Sequence, residues 1–148
     1  MENKTKKAQV VLAAVDSERQ SFNFLILKTN EKRGQFWQNI TGKIDEGETF
    51  EEGGLREAIE ETDLKIESII DIIDLQISHN FIDERKRNCH EKSFLIILDQ
   101  KFDVKIDPKE HHEFTWVKME DIHPEILKHK GNIEALEKSA HLLKHWGL

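Results

Sequence analysis

One stretch constrains this chain more than any other: Thr41 to Leu64, reading Thr-Gly-Lys-Ile-Asp-Glu-Gly-Glu-Thr-Phe-Glu-Glu-Gly-Gly-Leu-Arg-Glu-Ala-Ile-Glu-Glu-Thr-Asp-Leu. It opens as a glycine-bearing loop and continues as an acidic segment with helical spacing. At about 100° per residue, Glu57, Glu60 and Glu61 fall within one arc, and Leu55, Ala58, Ile59 and Thr62 lie opposite. One face of the helix is free to bury while the other gathers three carboxylates. Thr49 is placed to cap the helix, and Glu51 and Glu52 occupy the first turn, where the macrodipole favours negative charge.

Like charges at that spacing repel, by a few tenths of a kcal/mol per exposed pair. A hard cation such as Mg²⁺ relieves the repulsion, because it takes oxygen ligands from carboxylates, water and substrate phosphate. A charge run alone is more often a solvated helix face. Gly53 and Gly54 cost up to about 1 kcal/mol each relative to Ala inside a helix. Two readings stand for them: room left for metal, water or substrate on the carboxylate side, or a late helix start or close packing.

The spacing of the whole stretch decides between site and solvated face. Gly42, Glu48 and the run Arg56-Glu57-Ala58-x-Glu60-Glu61-x-x-Leu64 resemble the Nudix box, G-x5-E-x7-R-E-U-x-E-E-x-G-U. Every defined position matches except the second glycine, where Asp63 stands. That glycine suits a helix end in the left-handed conformation, which Asp tolerates better than most residues. Asp63 therefore reads as a changed helix stop.

Bulk properties agree with a phosphate-handling metal site. The chain has 148 residues, enough for one domain with a real core. Charged residues make up 34% and the net charge is −7, which weighs against general nucleic-acid binding. An acidic protein that handles phosphates needs a local cation to offset its own field. A single cysteine, Cys89, excludes an internal disulfide framework and points to a reducing compartment. No signal-peptide core or membrane-spanning run appears, so a soluble cytoplasmic protein is expected. Oligomeric state is not legible.

Along the chain, residues 8–15 and 22–27 are apolar runs of strand length around a turn at 16–20, the pattern of a hairpin. A polar loop follows at 28–35, and residues 36–40 lead into the box. Residues 65–78 are rich in isoleucine, which favours strand, as two strands or one broken by a turn. Residues 80–91 are polar. Two more strands are expected at 94–98 and 114–117, then a helix in which Ile133, Leu136, Ala140 and Leu143 share a face. Asn132 before it and Gly147 after it serve as start and stop signals. The expected class is mixed α/β, and no repeats or linkers appear.

The resemblance implies more. The Nudix fold is an α+β arrangement in which a mixed sheet is sandwiched between helices, the box forming a loop-helix-loop. Nudix enzymes hydrolyse a nucleoside diphosphate linked to another moiety, using Mg²⁺ or Mn²⁺. Carried over to this chain, Glu57, Glu60 and Glu61 form the metal-ligand and base cluster, without assignment of which is the base. Backbone carbonyls around Thr41 and Gly42 add a ligand, and Arg56 orients the cluster by pairing with Glu48. A narrower likeness covers most of the chain. Phe36-Trp37-Gln38-Asn39-Ile40-Thr41-Gly42, Arg87-Asn88 with Glu91 and Phe94, and Glu110-His111 with Trp116 are similar to bacterial dihydroneopterin triphosphate pyrophosphohydrolases. There the distal glutamate, here Glu110, joins the metal site.

That likeness implies cleavage of dihydroneopterin triphosphate, a folate precursor, or of a (d)NTP, to monophosphate and pyrophosphate. Phe36, Trp37 and Phe81 are candidates to stack a flat ring, with core packing the competing role for each. Lys28, Arg33, Lys43, Arg85 and Arg87 are candidates to pair with phosphate. Other readings within the superfamily are ADP-ribose or nucleotide-sugar, dinucleoside polyphosphate or RNA 5′-end hydrolysis, or a silent nucleotide-binding module. The complete glutamate set favours the enzyme. His111 and His112 are adjacent, so on a strand they point to opposite faces and do not serve one site together. His141 and His145 have ligand spacing but no third partner.

Overall fold

A computed structural model describes residues 4–18 and 21–146. Its frame is β1 (Thr5–Asp16), whose residues from Ala8 to Ala14 are all buried. Val10, Leu12 and Ala14 enter one core layer, and Val11 and Ala13 enter the other. A strand covered on both faces reads as a continuous apolar run, as this one does. Gln9 is the polar residue inside that run, and it is buried.

The expected hairpin is present: β2 (Ser21–Thr29) runs antiparallel to the second half of β1, with Ala13 opposite Phe24. The turn residues Arg19 and Gln20 lie outside the described residues. The first half of β1 pairs instead with β4 (Ile40–Lys43), Lys7 opposite Lys43 and Val10 opposite Ile40. The short β3 (Trp37–Gln38) extends β2, and β7 (His111–Val117) pairs with β2 as well. On its other edge β1 runs parallel to β6 (Asn88–Leu98), which pairs antiparallel with β5 (Ile69–Ile82). The result is a seven-stranded mixed sheet.

Helix α1 (Phe50–Thr62) covers one face, setting Ala58 and Leu64 against Val10, Leu12 and Ile96. Helix α2 (Lys130–Lys144) covers the other, setting Leu136 and Leu143 against Phe24, Ile26 and Leu95. This is the helix–sheet–helix layering the sequence resemblance implies. No helix among the described residues is long and apolar enough to cross a membrane.

Local detail refines these expectations and corrects one. After a 3-10 turn at Ile66–Ser68 the isoleucine-rich segment is one strand from Ile69, interrupted by a register shift between Asp74 and Ile77, with Gln76 at φ 57° and its N–H bonded to Asp74 Oδ1. The polar stretch after it is mostly strand, because only its tip bends. There Asp83 accepts bonds from the Arg85 and Arg87 amides and the Arg87 Nε. Asn132 does not precede the last helix but lies inside it, buried, with its Oδ1 accepting the Asn39 amide at 2.8 Å. The proposed stop at Gly147 lies outside the described residues.

Candidate active site

The box folds as loop, helix and stop. Thr49 Oγ1 accepts the Glu52 amide at 3.1 Å and Glu52 accepts the Thr49 amide at 2.9 Å, a reciprocal capping box that fixes where α1 begins. Asp63 ends it at φ 62° and ψ 30°, its N–H donating to the Ile59 carbonyl, so the residue at the lost glycine keeps the glycine's backbone conformation. The glycines inside the helix serve packing. A Cβ on Gly54 would press on Val10 at 3.2 Å and Ala8 at 3.3 Å, and one on Gly53 would collide with the Ile44 side chain. The room-for-substrate reading of Gly53 and Gly54 is therefore corrected: they let α1 lie close on β1 and on the box loop.

Arg56 is the hub of the loop. Its Nε and Nη2 fork onto the two carboxylate oxygens of Glu48 at 2.9 and 3.0 Å. Nη2 also donates to the Lys43 carbonyl, and Nη1 reaches Glu57 and Glu60 at 3.1 Å each. Such forked pairing is available to guanidinium and not to ammonium. The hydrogen bond from Arg56 holds the Glu48 carboxyl below its usual range, and Glu48 in turn holds the Arg56 proton more firmly.

The three box carboxylates are not equivalent. Glu60 is exposed and tied outward to Arg56. Glu57 is half-buried with its carboxyl group over the Gly42 Cα, so close that any Cβ there would overlap it. Glu61 is 4% exposed, and its Oε2 has no hydrogen-bond partner among the described residues. Burial, then the charges of Glu110 and Glu57, push the Glu61 carboxyl up to about 9. Burial also raises Glu57, against the pull of Arg56. Glu110, just before β7, is near enough for its charge to act on Glu61, and it pairs with Arg33 at 3.6 Å.

A buried carboxylate oxygen without a donor is costly unless something positive meets it. Among the described residues no three acid, histidine or cysteine side chains already converge at ligand distance. Glu57, Glu61 and Glu110 are near neighbours, not a closed cage. The orphaned Glu61 oxygen, the all-oxygen donor set and the side-chain-free Gly42 fit a hard divalent cation that keeps water and phosphate among its ligands.

The remaining candidates divide by location. Arg33, on the turn after β2, joins the acid cluster through Glu110. Lys43 is exposed on β4, next to Gly42. Lys28 and Trp37 meet each other at 5.9 Å on the β2–β3 edge, where Trp37 also packs on the core under α2. Phe36 lies edge-on to His129 with Lys128 over its ring. Phe81 and Arg87 stand near the β5–β6 tip: Phe81 is 38% exposed beside Lys7, and Arg87 is held by Asp83 at 2.8 Å. Arg85 enters that tip through its backbone amide. His111 is buried and held well below its usual range, to about 4, by desolvation and then Arg33, whereas His112 is exposed.

Sequence reasoning passed over a buried polar set across the sheet. Asn39 Nδ2 bonds Gln9 Oε1, Gln9 Nε2 bonds Ser93 Oγ, and Asn132 accepts from Asn39. The signal was there in Gln9 and Ser93, polar residues at inward positions of otherwise apolar strands.

The NUDIX domain model matches residues 5–138. The chain belongs to the Nudix hydrolase family. It is 28% identical over 143 residues to the dihydroneopterin triphosphate diphosphatase of Haemophilus influenzae, covering 90% of this chain and 87% of that one. It is also 30% identical over 111 residues to an octanoyltransferase of Myxococcus xanthus, covering 73% of this chain, but it spans only 30% of that protein's length. Among solved structures, an Ap4A hydrolase of C. elegans superposes with a TM-score of 0.80 at 22% identity, covering 96% of this chain and 99% of that one. The E. coli dihydroneopterin triphosphate pyrophosphohydrolase superposes at 0.76, also at 22% identity, with 96% and 99% covered. Both structures share the fold.

Proposed function

We propose that this protein is a divalent-cation-dependent pyrophosphohydrolase of nucleoside triphosphate-like substrates, dihydroneopterin triphosphate or a (d)NTP, working in a reducing cytoplasmic compartment as one Nudix unit. The observation that carries the reading is the buried, partnerless Glu61 oxygen beside Glu57 and Glu110, on a helix pinned by Arg56 and Glu48. The Haemophilus influenzae relative supports the substrate, since it matches over most of both chains.

Glu57, Glu61 and Glu110, with a carbonyl near Thr41–Gly42, would hold Mg²⁺ or Mn²⁺. When bound, the cation neutralises phosphate oxygens and acidifies water. The chain does the rest. Arg56 fixes the Glu57 rotamer and holds Glu60 outside. Arg33, paired with Glu110, and Lys43, next along β4 from Gly42, would take phosphate charge as substrate arrives. A carboxylate of the cluster accepts a proton from water as its oxygen bonds to phosphorus. The anhydride P–O bond breaks, and pyrophosphate leaves with the bonding electron pair.

The test is product analysis with Mg²⁺ on dihydroneopterin triphosphate, the dNTPs, ADP-ribose, a nucleotide sugar and a dinucleoside tetraphosphate. Pyrophosphate released fastest from the pterin or a dNTP is expected. Preference for ADP-ribose or a sugar overturns the substrate, and binding without turnover of any compound overturns the enzyme.

A further inference from the structure

Glu91 lies on the sheet face opposite α1, in a polar patch that the box chemistry does not use. Cross-strand partners share a face, so Lys43, Lys7, Glu91 and His79 form one row across β4, β1, β6 and β5, adjoining Phe81, with Thr41 on the same face one pair along, opposite Gln9. The row lies beyond the start of α2, where Glu134 takes His79 at 2.8 Å. A Cβ added at nearby Gly131 would meet nothing within 4 Å. Lys7 is drawn the other way, to Asp83 at 3.8 Å and over the Phe81 ring at 5.8 Å.

Glu91 is left under-used. It is half-buried on the strand, and the one hydrogen bond its carboxylate receives among the described residues is a long one from Thr41 Oγ1, 3.3 Å. An ionised carboxylate offers about four acceptor positions and no donor. Its unmet capacity therefore calls for N–H groups from outside. The place is also significant. Thr41 and Gly42 are consecutive on β4, so Thr41 faces Glu91 while Gly42 lies under the Glu57 carboxyl. Among the described residues strand β4 is paired with β1 alone. A ligand that crosses its open edge reaches both the acid cluster and Glu91.

We propose that Glu91, braced by Thr41, is the specificity-determining residue of this site. Its carboxylate accepts the side-by-side amino and ring-imino N–H groups of a 2-amino-4-oxopyrimidine edge, the edge that guanine and pterin rings share. Adenine does not match, because its amino group is flanked by ring nitrogens that only accept. Phe81 supplies an apolar wall for the ring. The proposal rests on the anhydride-hydrolase reading above for why a base-bearing ligand comes here at all.

Calorimetric titration of wild type and Glu91→Gln with GMP, neopterin monophosphate and AMP tests it. Wild type should bind GMP or neopterin monophosphate at least tenfold more tightly than AMP, and the tighter of the two tells which ring is read. In Glu91→Gln the ratio to AMP should fall by roughly ten- to hundredfold, and AMP should gain, because a Gln amide matches adenine's donor–acceptor pair. A merely structural Glu91 would weaken all three alike, and that result overturns the proposal, as does equal wild-type affinity. If Glu91→Gln melts early, Glu91→Asp, which keeps charge but shortens reach, must still lose the preference. Turnover is scored separately: hydrolysis without ring preference sinks this inference alone, and ring preference without hydrolysis sinks the hydrolase reading alone.

Discussion

Replacing Gly42 with Ala isolates the placement of one carboxylate. Gly42 lies in β4 and does not have a positive φ, so the backbone accepts alanine without strain. Conformational entropy of the unfolded chain even favours the change by about 0.4–1 kcal/mol. The obstacle is the Glu57 carboxyl group, which occupies the space of the new Cβ, well inside the 3.4 Å where ordinary contact begins. The carboxylate is the far end of a flexible side chain, so it can swing away at little cost to the fold. It must move by roughly 1 Å, and a misplacement of that size costs about a hundredfold in rate. The assay pairs thermal unfolding with pyrophosphate release under saturating Mg²⁺. The expected outcome is stability within about 1 kcal/mol of wild type and turnover down about a hundredfold. Full turnover in Gly42→Ala would refute the reasoning, and so would a loss that merely follows unfolding.

Other outcomes follow from the same geometry. In metal-free protein the folded state keeps a proton on Glu61, at about 9 against an ordinary 4.5, that the unfolded state gives up. Stability is therefore greatest below about pH 4.5 as far as this group goes, and falls towards pH 9 by up to about 1.4 kcal/mol per unit. Denaturation in chelator at pH 5.5 and 8 should show that slope, and Glu61→Gln should flatten it while abolishing most turnover. Arg56→Lys keeps the charge but loses the fork onto Glu48, and should cost about 1–3 kcal/mol in denaturant titrations with a large fall in kcat. Asp63→Gly removes a left-handed non-glycine residue and exposed pairs to Lys65 and Lys105. It should stabilise by up to about 1 kcal/mol in the same titrations with kcat unchanged.

The box was legible because its chemistry is local. Helix phase places Glu57 and Glu61 together, Thr49 caps by its hydroxyl, and Asp63 stops the helix where glycine is usual. What the sequence could not rank was burial. Glu60 and Glu61 are neighbours in the chain, yet one is exposed and the other is buried near Glu110, a residue from far along the chain. Gly53 and Gly54 left two readings open for the same reason: a wheel shows direction but not the strand packed against it, and the close-packing reading is the one the structure bears out. The β5 bulge escaped because a left-handed Gln76 has no composition signal. Asn132 resembled a helix cap, and its real partner is Asn39, between β3 and β4 and distant in sequence.

The central claim is a cation-loaded carboxylate cluster that cleaves a phosphate anhydride. Its most direct test strips the protein with chelator, restores Mg²⁺, and follows pyrophosphate release from dihydroneopterin triphosphate and dGTP in wild type and Glu61→Gln. Activity that returns with Mg²⁺ in wild type, and stays lower by orders of magnitude in the equally folded variant, is the predicted result. Equal activity in the two proteins, or pyrophosphate release that persists in chelator, would contradict it.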